Sequence, residues 1–163
     1  SLRAEMISEK NIVHKIYHVI FLILYCLLIL SSILYNSAKL VSLRCIGWIT
    51  LIFGIVVLLG SIQSRKKAHF EETLVESGIY AIVRHPEFLV HILIILSLIL
   101  ITQQVVNLVI GAILILLLYF AMIEEEKRNI DKFGDTYRSY MQRVPRINLL
   151  VGIKRMHNKK RLK

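Results

Sequence analysis

The sequence contains only two cysteines, Cys26 and Cys45, and both lie in or beside apolar segments. Two cysteines do not make a disulfide framework, and a structural zinc site usually needs about four Cys or His ligands. The N-terminal stretch lacks the basic start, apolar centre and small-residue cleavage site of a signal peptide. Apart from a basic end at residues 154–163, no repeat or low-complexity segment occurs. These absences argue against a disulfide framework and a zinc site, and the length of 163 residues favours a single domain.

Acidic residues are scarce relative to basic ones. The 163 residues include 21 Lys and Arg against 11 Asp and Glu, which gives a formal net charge of +10. Such an excess is compatible with nucleic-acid binding, but 56% of the residues are hydrophobic and the mean hydropathy is +0.63. In soluble domains roughly half of the residues are apolar and they are interleaved with charge. We therefore expect the basic residues to face a membrane surface and not nucleic acid.

The apolar residues occur in four blocks, at 16–34, 43–62, 86–102 and 105–123. A transmembrane helix needs about 20 mostly apolar residues, and the third block lies near the lower limit of about 17. No block carries the polar stripe of a helix in a soluble bundle. The predicted fold class is all-α: a polytopic membrane protein with four transmembrane helices and a C-terminal cytoplasmic helical segment, in one membrane domain over residues 1–163.

Four spans place both termini and the loop 63–85 on the same side of the membrane. Nineteen of the 21 Lys and Arg residues lie on that side, and only Lys39 and Arg44 lie on the other. Because basic residues are concentrated in cytoplasmic segments, the N- and C-termini are predicted to be cytoplasmic. The basic end at 154–163 is predicted to be solvated or to contact anionic lipid.

One polar cluster precedes the third block, where Arg84, His85 and Pro86 stand at the start of the predicted helix. Proline suits the first helical position, because its missing N–H costs no hydrogen bond there. The free N–H groups and the positive end of the helix dipole favour an anion. The alternative is an interfacial collar in which Arg84 extends to lipid headgroups.

A second polar cluster follows the fourth block and begins with the carboxylates Glu124–Glu126. Three carboxylates at the end of a span are costly unless they reach water or a partner. An ion pair between Glu124 and Arg128, one helical turn apart, accounts for one of them. Three aromatic residues follow at helix-like spacing, namely Phe133, Tyr137 and Tyr140. They form either an aromatic wall or the apolar face of a helix that lies on the bilayer.

The short turn between the third and fourth blocks makes these helices antiparallel neighbours. Arg84 and His85 on one helix must then lie close to Glu124–Glu126 on the other. We expect a pocket with cationic groups on one wall and carboxylates and aromatic rings on the other. Such a pocket is complementary to a zwitterion that carries an aromatic ring.

Residues 74–148 resemble the integral-membrane methyltransferases, namely the isoprenylcysteine carboxyl methyltransferases and the related phospholipid N-methyltransferases. The first two blocks resemble that family only in being apolar. The motifs that carry the resemblance are Gly78-Ile79-Tyr80, Arg84-His85-Pro86-Glu87-Phe88, Glu125-Glu126, Phe133-Gly134-Asp135-Thr136-Tyr137-Arg138-Ser139-Tyr140 and Val144-Pro145-Arg146.

The resemblance implies that residues 74–148 form the cofactor-binding and catalytic part and that the cofactor is S-adenosylmethionine. It implies that His85 and the backbone near Tyr80 border the adenosine, while Glu125 holds the cofactor's ammonium group. Which carboxylate of Glu124–Glu126 contacts the cofactor depends on the register. The implied catalytic residues are Arg84, Glu126 and Arg146, and the implied cofactor-binding residues are Tyr80, His85, Pro86, Glu125, Tyr137 and Tyr140.

The chain departs from the family pattern at Phe88, where a tyrosine is common, and at Val90, where many members have a small residue. His91 follows, inside the predicted span, one turn after Glu87. An ionisable group within a span is a functional candidate by default. Because the two side chains are close enough to pair, mutual neutralisation of Glu87 and His91 is the favoured interpretation.

Two kinds of lipid-soluble acceptor remain open. A carboxylate acceptor, as in an isoprenylcysteine, needs only to be desolvated and to be oriented by a cationic side chain such as Arg84 or Arg146. An amine, as in phosphatidylethanolamine, must also lose a proton to a base such as Glu126 or His85. A more remote alternative is an NADPH-dependent sterol reductase-like protein or a membrane protein that only binds its ligand.

Overall fold

The computed structural model describes residues 2–35, 39–68 and 73–161. Throughout these ranges the chain is helical or irregular and forms no strand. The α-helices are α1 (Leu2–Leu34), α2 (Val41–Ala68), α3 (Pro86–Thr102), α4 (Val105–Phe133), α5 (Asp135–Arg143) and α6 (Leu149–Arg161), and a 3₁₀ turn covers Gly78–Ala81. The end of the predicted basic tail, 162–163, lies outside the described residues.

Within the described ranges, three helices are long and apolar enough to cross a membrane: Ile12–Leu34 within α1, Val41–Lys66 within α2, and Val105–Phe133. Most of their apolar side chains face outward, as they must in a protein that is solvated by lipid. An integral membrane protein is therefore indicated. Helix α3 is apolar but has only 17 residues, which at a rise of 1.5 Å per residue is about 25 Å, against a hydrocarbon thickness of about 30 Å. The predicted count of four transmembrane helices is not confirmed.

The helix boundaries agree with the sequence where proline or turn residues set them. Helix α3 begins with Pro86 and ends at Thr102, followed by Gln103 in the left-handed region (φ 52°). The side-chain amide of Gln103 donates through Nε2 to the Leu40 carbonyl at 2.8 Å, which ties the α3–α4 turn to the residue before α2. Helix α4 continues ten residues past the predicted end at 123, because the charged residues that follow are good helix formers. It ends where Gly134 adopts φ +55°.

Helix α3 packs mainly against α2 and also against α4, while α1 lies on α4. The packing of α3 against α4 is close at Gly111, where a Cβ would lie 2.6 Å from the Ile99 Cδ1 atom. Small residues permit such close contact between helices in lipid. At the α3–α4 turn, buried Asn107 donates to the hydroxyls of Thr102 (2.8 Å) and Ser32 (3.1 Å), which fixes α1 against the hairpin. The charged residues lie at the opposite end of the hairpin.

Candidate functional site

The charged end of the α3–α4 hairpin brings the two predicted polar clusters together. Glu126 on α4 lies 3.1 Å from Nη1 of Arg84 and 3.2 Å from Nε2 of His85, both of which immediately precede α3. All three side chains are buried. The antiparallel hairpin thus produces the expected proximity of cationic and acidic residues.

Arg146 completes the cluster from the segment after α5. Its Nε and Nη2 atoms donate to the two carboxylate oxygens of Glu126 at 2.9 and 2.8 Å. Such bidentate pairs fix geometry as well as charge. The guanidinium also lies over the ring of Tyr119, 5.8 Å from its centroid, and the pKa of Arg146 is raised, chiefly by the hydrogen bonds to Glu126. One buried carboxylate therefore faces three basic side chains.

Backbone hydrogen bonds hold the two basic segments side by side. The N–H of Arg84 donates to the Pro145 carbonyl at 3.0 Å, and the N–H of His85 donates to the Arg146 carbonyl at 3.1 Å. Nearby, α6 approaches so closely that a Cβ at Gly152 would collide with the carbonyl of Ile82. Two sequence motifs that are 60 residues apart thus form one rigid unit.

His85 has a carboxylate near each ring nitrogen. Glu126 lies 3.2 Å from Nε2, and Glu125 lies 3.7 Å from Nδ1. Burial lowers the pKa of His85, but the two carboxylates outweigh burial, so the net effect raises that pKa above its ordinary value. Glu125, unlike Glu126, keeps about a third of its side chain exposed (34%). The imidazole is therefore stabilised in its protonated form, and Glu125 remains accessible to a ligand.

Arg84 is buried and has unused hydrogen-bond donors. Its Nη1 atom is close to Glu126 but is not directed for a hydrogen bond, and its Nε atom has no partner among the described residues. Burying an unpaired donor is costly, and such groups are typically satisfied by water, an ion or a ligand. At least one cationic donor of Arg84 is therefore both enclosed and unpaired.

The predicted aromatic residues have structural contacts. Tyr137 and Tyr140 pack edge to face with centroids 5.8 Å apart and belong to a buried cluster with Phe133. The hydroxyl of Tyr140 donates to the Tyr80 carbonyl at 2.6 Å, and the Tyr80 hydroxyl accepts from Arg65 at 3.2 Å. Burial raises the pKa of Tyr137 and Tyr140. These rings brace the segment before α3, and Pro86 is buried as the first residue of α3.

Two predicted ion pairs have different outcomes. Glu124 and Arg128 are paired on α4 at 3.9 Å, as expected from their spacing. Glu87, in contrast, pairs with Arg65 of α2 at 2.8 Å and not with His91. The ring of His91 instead contacts those of Phe21 and Tyr25 on α1, with centroids 6.1 and 5.7 Å apart. The predicted pair of Glu87 and His91 is therefore wrong, because spacing along one helix does not show which partners neighbouring helices provide.

A cavity of about 320 Å³ lies between α1, α3 and α4. Helix α1 contributes one wall, and of the predicted cofactor-binding residues only Glu125 lines the cavity. The sequence-based reasoning missed this wall, although the helical spacing of its polar and aromatic residues within an apolar block is a readable signal. They are His14, Tyr17, His18 and Phe21.

Residues 2–144 match the model of a family described as a protein of unknown function (DUF1295). This family is associated with steroid 5-alpha reductase-like membrane proteins. No curated protein and no solved structure matches the chain. The match covers α1 to α5 and ends just before the segment that supplies Arg146.

Proposed function

The chain belongs to the DUF1295 family, and we propose that it is an integral-membrane methyltransferase that uses S-adenosylmethionine and methylates a lipophilic acceptor. The observation that carries this proposal is the set of charges at the end of the α3–α4 hairpin. There an accessible carboxylate, Glu125, lies 3.7 Å from His85, and the residue before His85 is a buried arginine, Arg84, that has an unused donor. The other charged groups of this set, His85 and Arg146, are paired with Glu126.

The donor set fits the amino-acid part of the cofactor. Glu125 can accept hydrogen bonds from an ammonium group, and the free Nε–H of Arg84 can donate to a carboxylate. When bound, the cofactor supplies an electrophilic methyl group on a sulfonium, and no metal is needed for its transfer. The motif residues Tyr80 and His85 lie in the same braced segment, consistent with a role in binding the nucleoside.

Glu126 and Arg146 are best assigned as positioning residues. Glu126 already accepts two hydrogen bonds from Arg146 and one from His85, so most of its lone pairs are occupied. His85, with a carboxylate at each ring nitrogen, is favoured in its protonated form and is a poor base. The cluster therefore supports binding and orientation of the reactants, and a proton acceptor for an amine must come from elsewhere.

A reductase that uses NADPH is the second candidate. It is favoured by the association of the family with steroid 5-alpha reductase-like membrane proteins. It differs from the first candidate in its cofactor, because a dinucleotide is much larger than S-adenosylmethionine and needs a larger site.

Calorimetry on the purified full chain in neutral detergent separates these candidates. We expect saturable binding of S-adenosylmethionine and no binding of NADPH. Glu76 provides a matched control for the Glu125→Ala variant, because it is also a glutamate but is paired with Arg143 away from the cluster. The Glu76→Ala variant should bind the cofactor like the wild type. Binding of NADPH alone, or no binding of S-adenosylmethionine by a protein with an intact helical spectrum, would overturn the proposal.

A further inference from the structure

The cavity between α1, α3 and α4 has a carboxylate-rich wall. Glu87 on α3 and both Glu124 and Glu125 on α4 line it, together with a single guanidinium, that of Arg128. The ion pair between Glu124 and Arg128 is long, at 3.9 Å, and more than half of each side chain is exposed. Such a pair is weak in water. Glu87 and Glu125 are partly compensated by Arg65 at 2.8 Å and His85 at 3.7 Å, neither of which lines the cavity. Within the lining, three carboxylates face one guanidinium, so a positive charge is favoured over a negative one.

The wall contributed by α1 is aromatic. Tyr17 and Phe21 are stacked, with centroids 6.4 Å apart, and Phe88 of α3 lines the cavity near them. Aromatic faces attract cations that lie within about 6 Å of the ring centroid. Further along α1 the residues are apolar and belong to the helix that is long enough to cross the membrane. The cavity thus combines a polar end with access to an apolar helix face.

His91 adds a hydrogen-bond acceptor to this cavity. Its contacts are ring contacts with Phe21 and Tyr25, and among the described residues no hydrogen bond to its imidazole is found. A neutral imidazole carries one nitrogen with a free lone pair, which can accept from an ammonium N–H. A metal ion is not the occupant that the ligand set indicates, because no suitable group of three or more His, Cys, Asp or Glu side chains is present in the described ranges.

We propose that this cavity binds the head of an amphiphile that carries an amine or ammonium group, with its apolar chain lying along α1. The inference rests on the proposed function and deepens it, because it assigns an amine to the acceptor. The ammonium proton would pass to a glutamate of the cavity, such as Glu124, before the nitrogen takes the methyl group and the bond between methyl carbon and sulfur breaks. Glu125 lines this cavity and also lies beside His85, so it places the head next to the proposed cofactor site. A carboxylate head would face three glutamates.

Native mass spectrometry of the full chain in neutral detergent tests this assignment with three probes of equal chain length: decylamine, decanol and decanoate. We expect one equivalent of decylamine to bind at least about tenfold more tightly than either of the others. The double variant Glu87→Gln with Glu124→Gln should lose that preference, whereas Glu76→Gln should keep it. If the double variant does not fold, Phe21→Leu, which removes one aromatic face and keeps the site apolar, should weaken decylamine binding about threefold or more.

Each contrary result overturns the inference. Equal binding of the three probes, tighter binding of decanoate, no binding at all, or a preference that survives in the double variant would each exclude an amine site in this cavity. Cofactor binding is measured separately, by calorimetry. Retained S-adenosylmethionine binding with no amine preference would refute this inference alone, while amine binding without cofactor binding would refute the proposed function.

Discussion

Replacing Glu126 with glutamine should strongly destabilise the protein, because this carboxylate compensates three basic groups. Its side chain is only 6% exposed, and the side chains of Arg84 and His85 are 7% and 2% exposed. Glutamine preserves the shape but leaves Arg84 without this counter-charge and leaves His85 with Glu125 alone. Removing one partner of a buried ion pair costs about 3–5 kcal/mol. The contribution of Arg146 lies below that range, because a third of its side chain is exposed and water screens the pair.

The free energy of unfolding is measurable by titrating the protein from neutral detergent into a denaturing detergent while following the helical spectrum. Glu124→Gln is the matched control: it removes the same charge two residues away, where the side chain is 64% exposed and its partner lies at 3.9 Å. That variant should change stability by less than about 0.5 kcal/mol. If Glu126→Gln is no more destabilising than Glu124→Gln, the buried cluster does not contribute as described.

Three further predictions concern the cofactor, the pH dependence and the packing of α6. Glu125→Ala should weaken S-adenosylmethionine binding at least about tenfold in calorimetry without lowering the melting temperature by much, because the side chain is partly exposed; unchanged affinity would refute its assignment. The pKa of His85 is raised in the folded state. The stabilisation that protonated His85 provides should therefore be complete below its unfolded-state pKa of about 6.5 and should vanish as the pH rises through its folded-state pKa. The difference in melting temperature between wild type and His85→Gln should therefore shrink from pH 6 to pH 9; a constant difference would contradict this. Gly152→Ala should cost about 1–3 kcal/mol, because its Cβ meets the backbone of Ile82, whereas Gly60→Ala, with 3.9 Å to the nearest atom, should cost little; equal melting temperatures would show that α6 is not packed this tightly.

Those features of the fold that depend on local signals were predictable. The proline at position 86 and the polar turn near 103 set the ends of α3, and the short connection to α4 made the two helices antiparallel. That topology alone predicts that Arg84 and His85 lie close to the carboxylates Glu124–Glu126, and both contact Glu126. The end of α4 was not predictable from hydropathy, because a helix continues into water for as long as its residues favour it, here to Phe133.

Contacts between helices that are distant in sequence were not predictable. Glu87 was expected to pair with His91, one turn away, but α2 brings Arg65 within 2.8 Å of it. The cavity beside α1 was missed for the same reason, since only the packing of α1 against α4 brings the aromatic face near the glutamates. Periodicity shows which residues share a face of a helix, but not which helix that face meets.

Transfer of a labelled methyl group tests the central claim most directly. The purified full chain is incubated with a membrane lipid extract and S-adenosylmethionine that carries an isotopic label on its methyl group. The account predicts that label accumulates in the lipid fraction, that it resists mild base because it is attached to nitrogen, and that Glu125→Ala strongly reduces it. A lipid fraction without label, from a folded protein and a saturating methyl donor, would contradict the claim that this hairpin end is the site of a membrane methyltransferase.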